Sequence, residues 1–230
     1  MIIIIGDSWG VGEFGIDPIT EDSNSLIGPG IGQLLMLHDQ VINLSVGNGS
    51  NIDSLNRLEV FLSKYTLDNS DTIYWIITCP TRGINLNSLI DGPGNITTNI
   101  YAVLDQFFLK ANQIAMQNNT HIKLIGGLCD LNNVDIGRYS NLEICVASWG
   151  LLLNDSYITS LLWEIDQLGP IVQLNRSELL SEWIDIADQV FNKHKTIKIL
   201  SPKYFNASHP SRLGHRILRD YLYPDWHFKF

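Results

Sequence analysis

The chain opens Met1-Ile2-Ile3-Ile4-Ile5-Gly6-Asp7-Ser8-Trp9-Gly10-Val11-Gly12-Glu13-Phe14-Gly15, and these residues decide the fold. A secretory leader has a positive start, an apolar stretch of about 7–15 residues and a small-residue cleavage site. Four isoleucines running directly into Gly6-Asp7 do not have that form, so they predict a β-strand and, by default, a cytoplasmic protein.

Working outward, short β-type runs recur at residues 40–44, 72–78 and 121–125, with a weaker one at 142–147. Amphipathic stretches separate them, and this alternation is the signature of an α/β fold. Helices are predicted over 25–37, over 53–65 with Asp53 as N-cap, and over 97–117. The last of these carries Ile100, Val103, Leu104, Phe107, Phe108, Ala111, Ile114 and Ala115 in one stripe. Further helices are predicted over 151–168, 177–191 and 211–221, the final one with Ile217, Leu218 and Tyr221 facing inward. At 230 residues, without repeats or a Pro/Ser-rich linker, the chain reads as one domain, with an inserted subregion around 130–175 where the strand–helix rhythm becomes irregular.

In parallel α/β sheets the functional loops follow the carboxyl ends of the strands. Those loops begin here with Gly6-Asp7-Ser8, Ser45-Val46-Gly47-Asn48-Gly49-Ser50-Asn51, Cys79-Pro80-Thr81-Arg82 and Gly126-Gly127-Leu128-Cys129-Asp130. Small and polar residues therefore gather where a pocket belongs.

The first loop fits three motifs. Gly10, Gly12 and Gly15 spell the dinucleotide fingerprint, which works when the glycine turn follows the strand at once and opens a helix. Here the glycines start late and Ile16-Asp17-Pro18 comes next. Gly6-Asp7-Ser8-Trp9-Gly10 also spells a nucleophile elbow, but that elbow needs upstream strands and an oxyanion loop, and five residues precede Gly6. The third reading is an apolar strand ending in Gly-Asp-Ser. With Ser208-His209-Pro210-Ser211-Arg212-Leu213-Gly214-His215 at the far end, the chain resembles the SGNH (GDSL-type) esterase and lipase family. The order of the blocks is that family's, and the resemblance spans nearly the whole chain while its specific residues lie in short blocks. It implies a three-layer α/β/α sandwich around a central, mostly parallel five-stranded sheet of flavodoxin-like type.

The chemistry explains why these residue types matter. A serine hydroxyl is a poor nucleophile at neutral pH until a histidine within hydrogen-bonding reach accepts its proton. The resemblance casts Ser8 as nucleophile and His209 as general base, with an acid three residues before the histidine. That position holds Asn206, which can orient the ring but supplies no negative charge; Asp130 is the alternative carboxylate, and Asp7 a candidate for holding the loop. For the oxyanion, the resemblance implies the Ser8 amide and an amide within Gly47-Asn48-Gly49, while the third-block G-x-N-D is replaced by Thr78-Cys79-Pro80-Thr81-Arg82. There Arg82 or a threonine hydroxyl such as that of Thr81 is the candidate donor, and Arg82 suits a structural ion pair equally. His215 reads as packing or capping.

Composition narrows the class. Fifteen Lys+Arg against 24 Asp+Glu give a net charge of -9, which argues against a nucleic-acid or anionic-membrane partner. No apolar run reaches the roughly 18 residues of a membrane span. Cys79, Cys129 and Cys145 form no C-x-x-C pair and read as buried thiols. The histidines show no metal-ligand spacing, so neither a metal nor a cofactor is expected. Trp9, Trp75, Trp149 and Trp163 suit either sugar stacking or a core. The leading expectation is hydrolysis of a small carboxylic ester on a polar carrier, such as an acetylated carbohydrate. The rival, motivated by Asn206 and the missing third-block Asn, is a catalytically impaired module that binds carbohydrate or serves in assembly, for example in a virion.

Overall fold

The computed structural model describes residues 1–15, 25–80, 82, 96–127, 129, 131–132, 134–152, 205–206, 209–210 and 212–225. Five strands, β1 (Ile2–Ile5), β4 (Val41–Asn43), β5 (Thr72–Ile77), β6 (Ile122–Gly126) and β7 (Leu142–Val146), form one sheet in the order β4-β1-β5-β6-β7. Every neighbouring pair in it is parallel. In sequence order this is 2-1-3-4-5, the flavodoxin-like order, in which the direction of winding reverses between the first strand and the third. The expected α/β architecture is thus present, and β7 shows that residues 142–146 belong to the main sheet.

Side-chain alternation along the strands makes two cores. Ile3, Ile5, Ile73, Trp75, Ile77, Ile122 and Leu124 point to one face, covered by α3 (Asn51–Leu62) and α4 (Ile96–Gln117). Leu55, Leu58, Phe61 and Leu62 of α3 and Leu104, Phe107, Phe108, Ala111, Ile114 and Ala115 of α4 are buried there, as helical spacing requires. Ile2, Ile4, Tyr74, Ile76, Ile125 and Val146 point to the opposite face. That face is covered by α1 (Ser8–Val11), α2 (Ile31–Leu35), α5 (Trp149–Leu152) and α6 (Arg212–Leu222), through Trp9, Ile31, Leu35, Trp149 and Leu218. Helices on both faces of the sheet make three layers.

The structure corrects several sequence expectations. Residues 25–29 do not begin a helix: they are β3 (Ser25–Pro29), antiparallel to β2 (Gly12–Gly15), and the helix starts only at Ile31. Gly28-Pro29-Gly30 breaks the helical pattern, because proline lacks the N–H that a helix interior needs. Gly12 and Gly15 lie in a strand, the opposite of what a dinucleotide fingerprint requires. The N-cap of α3 is Ser50, with Asp53 at the third helical position. On α6 Leu218 is buried and Ile217 packs against the same core, as expected, whereas Tyr221 is exposed and His215 and Arg219 are buried in its stead among the described residues. The helices expected over 151–168 and 177–191 fall largely outside the described residues, as does most of the proposed insertion. Among the described residues no helix is long and apolar enough to cross a membrane.

Candidate active site

The carboxyl ends of β1 and β5 flank the point where the sheet reverses its winding, and Gly6-Asp7-Ser8 and Thr78-Cys79-Pro80 emerge there side by side. Gly6 is required by close approach: a β-carbon on it would stand 3.0 Å from Ile76 Cβ and 3.1 Å from the Ile76 carbonyl oxygen. Asp7 then caps the one-turn helix α1, its Oδ1 accepting from the Trp9 amide at 3.0 Å. Its Oδ2 accepts from the Thr78 hydroxyl at 2.6 Å and from Arg82 Nη1 at 3.0 Å. The carboxylate is 1% exposed, and three donors at that burial make it a structural anion. Ser8 is the first residue of α1 and is largely buried.

Arg82 is therefore engaged as the ion-pair partner of Asp7, one of the two roles its position suggested. The Thr78 hydroxyl likewise donates to Asp7. Thr81 and Asp130 lie outside the described residues. Gly47 and Asn48 form the tip of a turn closed by the Gly49 amide donating to the Val46 carbonyl at 3.0 Å. Asn48 sits at φ 59°, in the left-handed region that asparagine tolerates better than most residues. The turn is tied to the first loop by the Val46 amide, which donates to the Gly6 carbonyl at 3.2 Å.

Three residues without any motif to mark them hold these loops together. Asn43, at the end of β4, donates from Nδ2 to the Gly10 carbonyl at 2.8 Å and accepts from the Ser45 amide at 3.0 Å. Asn51, 1% exposed, exchanges two 3.0 Å bonds with the backbone of Thr78, donating to its carbonyl and accepting from its amide. Arg57 donates from Nε to the Leu44 carbonyl at 2.8 Å and from Nη2 to the Gly6 carbonyl at 3.2 Å. Burial pulls this guanidinium below the usual arginine range, opposed by Asp53. Their sequence signal is position alone: an Asn at a strand end, an Asn at the first residue of the helix behind the loop, and an Arg nearly two turns into it.

The start of α3 is set by a reciprocal cap. The Asp53 amide donates to Ser50 Oγ at 3.2 Å, and Asp53 Oδ2 accepts from the Ser50 amide at 3.1 Å and the Ser50 hydroxyl at 2.6 Å. The hydroxyl bond, then the amide bond, hold the Asp53 carboxyl below its ordinary 3.8. A depressed carboxylate stabilises above its unfolded value and loses that contribution as pH falls through the folded one. Asp53→Ala is accordingly expected to cost about 0.5 kcal/mol at neutral pH. The difference from wild type should narrow below pH 3.8, checked by urea unfolding at pH 7 and pH 3.5.

The far end of the chain reaches the same place. β8 (Phe205–Asn206) and β9 (His209–Pro210) form a two-residue antiparallel ladder in which Asn206 pairs with His209 and Phe205 with Pro210. Cα atoms of β9 come within 8 Å of Cα atoms of α1, and β2 lies beside β8 and β9. The backbone thus brings the segments bearing Ser8, His209 and Asn206 to one corner of the molecule. His215 is fully buried, against Trp149. Trp9, Trp75 and Trp149 are core residues at 0–1% exposure, which removes them as sugar-stacking platforms; Trp163 lies outside the described residues. Cys129 is buried, Cys79 and Cys145 are half-buried, and burial pushes the Cys145 thiol up to about 12. Among the described residues no group of His, Cys, Asp and Glu is arranged to hold a metal ion.

No family model and no curated protein matches this chain. Among solved structures it is similar to a member of the lipolytic protein G-D-S-L family from Veillonella parvula, at 13% identity and a TM-score of 0.43, over 98% of this chain and 97% of the other. The fold rests on the sheet order and the two cores, and stands without that likeness.

Proposed function

We propose that this chain is a divergent serine hydrolase of SGNH type that cleaves a small carboxylic ester on a polar carrier, such as an acetylated carbohydrate. The observation that carries this reading is the approach of α1, which begins with Ser8, to β9, which begins with His209. In this mechanism the Ser8 hydroxyl adds to the ester carbonyl carbon as His209 takes its proton. The tetrahedral intermediate expels the alcohol, which leaves with that proton, and an acyl-serine remains. Water then adds to the acyl carbon, its proton passing through His209 back to Ser8 as the acid departs. Backbone N–H groups at Ser8 and at Gly47 and Asn48, the tip of the turn that the Gly49 amide closes, are the proposed donors to the oxyanion. Labelling with a fluorophosphonate tests the reading: a stoichiometric adduct mapped to Ser8 is expected, and an adduct elsewhere or none would overturn it.

Asn206, opposite His209 in the ladder, is the observation that favours the second reading, a non-catalytic carbohydrate-binding or assembly module. In the catalytic reading Asn206 orients His209 through its amide oxygen without stabilising the imidazolium by charge. Asn206→Asp is then expected to raise kcat by about tenfold or more, since an Asp-to-Asn exchange in a serine triad costs about 10⁴. Steady-state rates of the two proteins on 4-nitrophenyl acetate check this. An unlabelled wild-type protein that retains glycan or partner binding would instead support the module.

A further inference from the structure

Three aromatic rings that take no part in the ester chemistry run from the nucleophile segment to the last helix. Trp9 follows Ser8 in α1, Trp149 opens α5 behind the fifth strand of the sheet, and His215 lies in α6; all three are at most 1% exposed. The Trp9 and Trp149 ring centroids are 5.5 Å apart at 80°, and those of Trp149 and His215 are 5.1 Å apart at 76°. Both contacts are edge-to-face, the arrangement that the ring quadrupoles prefer over a sandwich. The Trp149 indole N–H also donates to the Gly214 carbonyl at 3.3 Å, fixing the ring against the backbone of α6 as well as its side chains.

We propose that Trp149 is a positioning residue, a wedge that sets the separation between the segment bearing Ser8 and the segment bearing His209. Its effect on turnover rests on the proposed esterase function, while the wedge itself stands on packing alone. Helix α1 is one turn of four residues, too short to hold a direction of its own, because helix nucleation is unfavourable. Its orientation is therefore set from outside: by the Asp7 cap, by the Asn43 amide on the Gly10 carbonyl, and by the partners of the Trp9 ring. Trp9 meets Trp149, and Trp149 meets α6 twice, at the Gly214 carbonyl and the His215 ring. β9 leads into α6, so a shift of α6 relative to α1 moves His209 relative to Ser8. An aliphatic side chain would fill part of the volume but would fix neither ring angle. A displacement of about 1 Å between reacting groups costs on the order of 10²-fold in rate.

The experiment compares Trp149→Ala and Trp149→Phe with Trp75→Ala, all assayed as full-length folded protein. Trp75 is an equally buried control on the opposite face of the sheet, packed against Phe108. Per folded molecule, Trp149→Ala is expected to lower kcat on 4-nitrophenyl acetate about 10–100-fold with KM changed less than about threefold, and Trp75→Ala to leave kcat within about twofold. Amide hydrogen exchange at residues 8–11 and 212–218 is expected to rise in both Trp149 variants and not in the Trp75 variant. Should Trp149→Ala fail to fold, Trp149→Phe carries the test, with a smaller loss of kcat and the same exchange pattern. Exchange unchanged at either segment, or raised equally by Trp75→Ala, overturns the wedge whatever the activity. Raised exchange with unchanged kcat removes its bearing on turnover. A wild-type protein with no esterase activity defeats the catalytic reading and leaves the wedge to be decided by exchange alone.

Discussion

Ser8→Ala is expected to lower the hydrolysis of 4-nitrophenyl acetate by at least about 10³-fold while leaving far-ultraviolet circular dichroism and the unfolding midpoint close to wild type. The size of the effect comes from chemistry: without the hydroxyl no acyl-enzyme forms, and the residual rate is catalysis by binding and oxyanion donors alone. The small structural effect comes from position. Ser8 opens a helix whose cap is supplied by the preceding Asp7 and whose packing is supplied by the adjoining Trp9. His209→Ala should lose a similar factor, and the double variant little more, because a nucleophile and its base act as one unit. Equal rates for wild type and Ser8→Ala would take Ser8 out of the reaction.

Asp7→Ala is expected to produce the largest loss of stability from a single polar side chain in the site, about 3 kcal/mol. For a chain of this size that lowers Tm by roughly 6–12 °C in calorimetry. The carboxylate is 1% exposed and receives the Trp9 amide, the Thr78 hydroxyl and Arg82. Removing it strands the Thr78 hydroxyl, itself 1% exposed, and uncaps α1. The Arg82 side chain is 32% exposed and can turn to water, so its share of the cost is discounted. Arg82→Ala alone should therefore cost about 1 kcal/mol or less, and the double variant should lose less than the two single losses added together. If Asp7→Ala unfolds with the wild-type midpoint, the loop is held by something other than this carboxylate.

The parts of the fold that sequence periodicity carries are those whose burial is uniform along an element. The five β-type runs are the five strands of the main sheet, and the stripe from Val103 to Ala115 is the inner face of α4. Elements defined by contact rather than periodicity stay hidden. The strand Ser25–Pro29 has Leu26 and Ile27 at a spacing that also suits a helix, and only its pairing with Gly12–Gly15 decides between them. The ladder of Asn206 and His209 is two residues long, too short for any alternation to register. At the site, Ser8, Gly47 to Gly49 and Arg82 are legible because they come directly after strand ends. The roles of Asn43, Asn51 and Arg57 are not, because each is defined by a backbone partner 33, 27 and 51 residues away, respectively.

The four identical side chains of β1 have one last consequence. Ile2 to Ile5 supply both faces of the sheet with the same group, so nothing in their chemistry distinguishes one alignment of the strand from another shifted by a residue. Such a shift carries every atom along by about 3.3 Å. The frame is instead fixed by the next two residues of the chain: a glycine that alone tolerates the backbone of Ile76 at its position, and a carboxylate that finds its donors only when it arrives at the right depth. The tripeptide proposed to deliver a nucleophile is thus also the stop that tells the first strand where to halt.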